Sequence, residues 1–247
     1  SVPSFYNPQL PTPLVVFLHD TDEDFSTLLQ RTAKDPPYLA VSVLGRGRSG
    51  GYVGLAARDP LHVIAWMTNF YAVDLDRICV VGTGMGGYGA WHLATRWPHL
   101  FAAAIPISGV SAELPLETLR NIAVWIIHGE KDFIVPVEYS RAAMQVLQRR
   151  AFPAVYTELR DVANRVQSSV ESLRIPDMLV NQRRDAEPPE VTVISAGRED
   201  AQAYWLHVLN RINPRQAAQA RARFTGPNDL IVYLDNVAAA EITLPHR

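Results

Sequence analysis

Between Leu14 and about Val180 the chain alternates short apolar runs with longer stretches of helical period, and nothing else in it constrains the fold as strongly. Leu14–Leu18, Tyr38–Leu44, Ile78–Val81, Ala102–Ile107, Ile122–Ile127 and Ala154–Leu159 are short and rich in β-branched residues, so they read as buried strands. The stretches near Glu23–Thr32, Pro60–Tyr71, Gly86–Arg96, Pro115–Arg120 and Val137–Arg150 read as helices. Strands and helices that alternate across short loops predict an α/β fold, a mostly parallel sheet with helices on both faces. Ligands of such sheets bind at the carboxyl ends of the strands, so the residues just past each strand carry the most information.

The pattern changes near Arg183. Arg183-Arg184-Asp185-Ala186-Glu187-Pro188-Pro189 is charged and then proline-rich, as a linker is. Beyond it, Val191–Ser195, Ala203–Leu209, Ala217–Phe224, Asp229–Leu234 and Glu241–Leu244 are short, evenly spaced and separated by Gly, Pro and Asn turns. The expected organisation is an α/β domain over 1–183, a linker over 184–190 and a small C-terminal antiparallel β module over 191–247, packed on the core because so few residues fold alone with difficulty.

Composition excludes several classes. With 48% hydrophobic residues in 247, the chain can bury a substantial core and is neither disordered nor a disulfide-stapled miniprotein. A formal charge of −2 supplies no field to gather nucleic acid, so no nucleic-acid partner is expected. One cysteine, Cys79, permits no internal disulfide. No stretch approaches the roughly 20 apolar residues of a membrane span. The chain opens on Ser1 rather than Met, which suggests a processed or trimmed piece of a longer product.

The most informative segment is Ile78-Cys79-Val80-Val81-Gly82-Thr83-Gly84-Met85-Gly86-Gly87-Tyr88-Gly89-Ala90-Trp91, an apolar strand running through glycines into a helix. Gly82, Gly84 and Gly87 fit the G-x-G-x-x-G of dinucleotide sites, whose glycines admit a pyrophosphate to a helix N-terminus. Such sites also place an acidic residue after the next strand, and here that strand ends Ile105-Pro106-Ile107-Ser108-Gly109 with none. A second match, Gly45, Gly47 and Gly50, leads into more loop. The same turn also fits the nucleophile elbow G-x-S-x-G as Gly82-Thr83-Gly84-Met85-Gly86, with Gly84 at the nucleophile position.

In that register the chain resembles the α/β-hydrolase superfamily. The resemblance is to the bacterial predicted-peptidase and polyhydroxybutyrate-depolymerase-like esterase branch, near the dienelactone hydrolases. It rests on Gly82 to Gly109 with Arg96-Trp97-Pro98, on Pro13-Leu14-Val15-Val16-Phe17-Leu18-His19, on Asp74-Leu75-Asp76-Arg77-Ile78, and on Trp125-Ile126-Ile127-His128-Gly129-Glu130-Lys131-Asp132 followed by Val135-Pro136. The resemblance covers about residues 10 to 183 and implies an α/β-hydrolase fold; the β module resembles an extension of some members.

In such enzymes a serine attacks the ester carbonyl, a histidine takes its proton, an acid orients the histidine, and backbone N–H groups hold the oxyanion. The resemblance carries the serine onto Gly84, the acid onto Asp132 and the histidine onto Asn164, so that the catalytic set is not intact and these positions are vestigial. The loop that usually reads His-Gly reads His19-Asp20-Thr21, and an inward carboxylate at Asp20 would oppose an oxyanion. Asp20, Thr21, Met85 and Gly86 are the oxyanion or anion-binding candidates, and N–H groups of Gly84, Met85 and Gly86 at a helix start favour a carboxylate or phosphate.

Other polar residues read as structural. Thr83 is a turn residue, Ser108 a small strand-end residue, Cys79 a buried hydrophobe, and His19, His92 and His128 framework residues. His62, His99, His207 and His246 lack carboxylate or cysteine neighbours at ligand spacing, and no metal or cofactor is expected. The degenerate triad implies a catalytically inactive homologue, a structural or binding subunit of a larger bacterial protein or assembly. The alternative is a carboxylic ester hydrolase with relocated or altered groups. Expected partners are another protein or assembly, with a small anionic ligand in the old pocket. Tyr204-Trp205, Arg183 and Arg184 are the contact candidates, with Trp205 reading rather as core, and the loop Arg46-Gly47-Arg48 either adds positive charge beside the old pocket or is a solvated loop. The resembled branch is often exported, which suggests the periplasm or cell surface.

Overall fold

In the computed structural model, which describes residues 1–21, 23, 35–163, 181–197 and 201–243, the six expected strands build one parallel sheet. They are β1 (Thr12–Leu18), β2 (Leu39–Val43), β3 (Val73–Thr83), β4 (Ala103–Ile107), β5 (Ala123–Gly129) and β6 (Ala154–Leu159), in the order β2-β1-β3-β4-β5-β6. Side chains alternate across a strand, so each run that is apolar throughout feeds two layers. Leu14, Val16 and Leu18 join Ile78, Val80, Trp91 and Phe101 on one face, while Val15 and Phe17 join Tyr38, Cys79, Val81 and Ile105 on the other. Cys79 is sealed in the second layer, where burial pushes its thiol pKa up to about 12.

The helices α1 (Arg58–Phe70), α2 (Met85–Arg96) and α3 (Glu138–Arg149) pack on the first layer through Ile64 and Met67, Trp91 and Leu93, and Ala143 and Leu147. The helix expected over Glu23–Thr32 lies outside the described residues except for Glu23. The one expected over Pro115–Arg120 is instead a 3-10 turn, Leu116–Asn121. It is confined between Pro115 and the start of β5, it buries Leu116 and Leu119, and Thr118 Oγ1 donates to the Thr95 carbonyl at 2.8 Å. No described helix is long and apolar enough to cross a membrane.

The C-terminal segments form two facing antiparallel sheets, β11-β10-β7 and β12-β9-β8. Their strands are β7 (Glu190–Ser195), β8 (Gln202–Ala203), β9 (Leu206–Arg211), β10 (Ala218–Phe224), β11 (Leu230–Asp235) and β12 (Val237–Ile242). The strand expected over Ala203–Leu209 is broken in two, because Tyr204 takes a left-handed φ of 52° and the chain reverses at Tyr204-Trp205. Ala218, Ala220 and Ala222 alternate inward and let the sheets close over Trp205, Leu206, Val191 and Val193.

The linker is not loose. Arg183 bridges Asp74 and Asp76 at 2.8 and 2.9 Å, and Arg184 pairs with Asp76 at 2.9 Å while donating to the His99 carbonyl. Tyr204 Oη donates to the Pro98 carbonyl at 3.1 Å, and Asn121 Nδ2 to that of Glu190 at 2.8 Å. Arg184 and Tyr204, read from sequence as contact candidates, are therefore spent on seating the module against the sheet domain, whereas Trp205 is buried in the module's own core and donates to the Pro188 carbonyl. Arg183 keeps an exposed side chain, yet both of its ion pairs face the same domain.

Candidate functional site

The site begins where β3 ends. Thr83 is the last strand residue, Met85 the first of α2, and Gly84 turns the chain between them at φ 53°, ψ −111°. That conformation is one L side chains rarely adopt, and elbows of this kind store strain there. The turn is sharp because α2 crosses β1 closely: a Cβ on Gly86 would lie 2.1 Å from the Leu18 carbonyl oxygen.

The space above Gly84 is filled. A Cβ built there would stand 2.1 Å from Asp20 Oδ1, 2.4 Å from its Cγ and 2.5 Å from its Oδ2. The carboxylate of the loop after β1 thus occupies the volume that an elbow side chain would take. Asp20 Oδ1 accepts the Met85 N–H at 2.9 Å and the Thr21 N–H at 2.7 Å. Burial raises the Asp20 carboxyl pKa above the ordinary carboxylate value, against the pull of the Met85 and Thr21 N–H groups.

His19 aims this loop. Its ring is fully buried, with Nδ1 2.7 Å from the Asp20 carbonyl oxygen and Nε2 2.9 Å from that of Leu44. The His19 backbone N–H donates to Tyr52 Oη, which donates in turn to the Val43 carbonyl. His19 and Tyr52 therefore tie the ends of β1 and β2 together and hold Asp20 over the elbow. The sequence marked His19 only as framework, and Tyr52 carried no signal at all.

Two sequence expectations are corrected here. The Gly84 N–H is not free for a ligand, because it donates to the Ile107 carbonyl at 2.8 Å. The Met85 and Thr21 N–H groups, expected to face an anion, both donate to the chain's own Asp20 carboxylate. Gly86 serves the close approach of α2 to β1.

Asp132 sits past β5 in the place the resemblance gives the acid. Its Oδ1 accepts the N–H groups of Ile134 and Val135, both at 2.9 Å. Its Oδ2 is buried, receives no hydrogen bond among the described residues and lies 3.4 Å from His128 Nε2. His128 is committed elsewhere, with Nε2 2.9 Å from the Val135 carbonyl and Nδ1 2.7 Å from Ser140 Oγ. Asn164 lies outside the described residues. Ser108, at φ 48°, keeps a buried Oγ without a partner among the described residues, and Thr83 is buried. Arg46 pairs with Asp59 at 3.3 Å. Among the described residues no three His, Cys, Asp or Glu side chains gather as metal ligands do.

The parallel sheet and the strand–elbow–helix unit define an α/β-hydrolase-fold protein. Residues 49–156 match the model of the dienelactone hydrolase family. Solved structures agree on the fold. A thermostable esterase is 26% identical with a TM-score of 0.62, over 74% of this chain and 58% of its own length. Esterase PE8 is 19% identical with a TM-score of 0.55, over 70% of this chain and 94% of its own. The acylaminoacyl peptidase of Pyrococcus horikoshii is 17% identical with a TM-score of 0.54, over 67% of this chain and 34% of its own. The chain thus spans little more than half of the thermostable esterase and about a third of the peptidase. No curated protein sequence is significantly similar to it.

Proposed function

We propose that this chain is a non-catalytic homologue of serine hydrolases, a structural or binding component of a larger bacterial protein or assembly at the cell envelope. One observation carries the reading: the Asp20 carboxylate stands where an elbow nucleophile would project and takes the Met85 N–H that would hold an oxyanion. A glycine offers no nucleophile, and a fixed negative charge at that N–H opposes the anion that builds up during acyl transfer. The α/β-hydrolase fold stands on its sheet packing and keeps its shape without any chemistry in the elbow.

A second reading is carboxylic ester hydrolysis by altered groups. The similar solved structures are esterases and a peptidase, and Asp132 retains a buried oxygen with no hydrogen-bond donor among the described residues. Hydrolysis of short-chain p-nitrophenyl esters separates the two. The expected outcome is background rate for the intact chain and a measurable gain for the triple variant Asp20→Gly, Gly84→Ser, Asn164→His. A clearly active intact chain overturns the first reading and supports the second.

A further inference from the structure

Among the described residues the β module has four sheet edges, and three carry a device that discourages pairing. β7 lies against the turn Leu116–Asn121, where Asn121 and Arg120 both bond to Glu190. β8 is only two residues long. β12 is broken by register shifts at Val237/Ala239 and Ala239/Ala240 and carries Glu241. Short edges, bulges and charges are the usual means by which proteins blunt a free strand.

β11 has none of these. It runs in unbroken register with β10 over six pairs, from Gln219↔Asp235 to Phe224↔Leu230. Between Leu230 and Leu234 it contains no Pro, Gly or charged residue. Its side chains are apolar on both faces and uncovered: Ile231, Val232, Tyr233 and Leu234 are 37 to 63% exposed. An edge of this kind leaves a row of backbone donors and acceptors open to a further strand.

The charges at its ends choose the occupant. Asp229 and Asp235 bracket the apolar run, and neither has an ion-pair partner among the described residues. A second copy paired antiparallel about Val232 would set Asp229 against Asp235 at both ends, which opposes pairing. A strand with basic residues at both ends meets both carboxylates instead. The geometry points to β11 as a strand-acceptor edge for an extended segment of a partner protein, apolar in its middle and basic at each end. This rests on the reading of the chain as a binding component, but its test uses no hydrolysis and fails or succeeds separately.

The probe is the capped peptide Lys-Val-Thr-Val-Thr-Val-Lys, compared with Glu-Val-Thr-Val-Thr-Val-Glu, by titration calorimetry and amide hydrogen exchange on the whole chain. The basic-ended peptide is expected to bind saturably and to slow exchange in Leu230–Asp235. The acidic-ended one should bind about ten-fold more weakly at low salt. Asp229→Asn with Asp235→Asn should erase that difference, and Ile231→Lys or Tyr233→Lys, both on exposed side chains, should weaken binding while the melting temperature stays unchanged. Three results overturn the proposal: no protection of β11 by the basic peptide, equal binding of both peptides, or a concentration-dependent dimer that Tyr233→Lys abolishes, which would make a second copy the occupant.

Discussion

At the scale of single residues, Gly84 and Asp20 explain each other. A serine at 84 would put its Cβ within 2.1 to 2.5 Å of the Asp20 carboxylate, and glycine is the residue that leaves that space open. Gly84→Ser alone should therefore cost about 1–3 kcal/mol of stability, from crowding and from the φ of 53°, and should bring no esterase activity. Asp20→Gly gives up the hydrogen bond to Met85 but clears the space. In a double-mutant cycle followed by urea unfolding, the pair should be coupled by about 1–3 kcal/mol; additive effects would mean that the loop moves aside freely. The strand-to-helix turn at Gly84 and the place of Asp132 past its strand were legible in the sequence because each sits in a local motif. The filling of the elbow was not, because it depends on the buried contacts of His19 and Tyr52, which join segments far apart in the chain.

At the scale of elements, apolar runs of β-branched residues marked all six strands of the main sheet, and only their ends moved. What escaped sequence reading was local geometry without a compositional sign. Tyr204 holds a left-handed φ that a bulky side chain seldom takes, and the hairpin it makes is fixed by what its ring and hydroxyl reach, His99 and Pro98. His99 gives this junction a pH dependence. Burial, then the nearby Arg184 charge, depress its pKa from 6.5 to about 4. A base whose folded pKa is depressed stabilises the fold above its unfolded pKa and loses that contribution as pH falls toward the folded one. Stability should therefore decline between about pH 6.5 and 4, and His99→Gln should flatten that decline in chemical unfolding across the range. An unchanged slope in the variant would place the proton uptake elsewhere.

At the scale of the whole molecule, the parallel sheet and the small C-terminal antiparallel sheets were legible, as was the expectation that the two pack together, but the residues that join them were not. Arg183 and Arg184 reach Asp74 and Asp76 across more than a hundred residues, a pairing no local pattern encodes. Because the tether is bonded to the sheet domain and Trp205 Nε1 donates to the Pro188 carbonyl within it, the two parts should unfold together. Calorimetry is expected to give one transition for the intact chain. Arg184→Ala, which removes a mostly buried guanidinium, should lower stability by about 1–3 kcal/mol and split or broaden that transition. Two separate transitions in the unaltered chain would show the module folding on its own.

The Asp20–Gly84 contact also has a direction in time. Once a carboxylate has settled into the elbow, a mutation that restores the serine meets a worse neighbour than the glycine did, and one that removes the carboxylate first leaves a buried N–H without its acceptor. Either single change is costly to the fold, so if the chain is non-catalytic as proposed, the two positions can change only together, and the contact works as a ratchet.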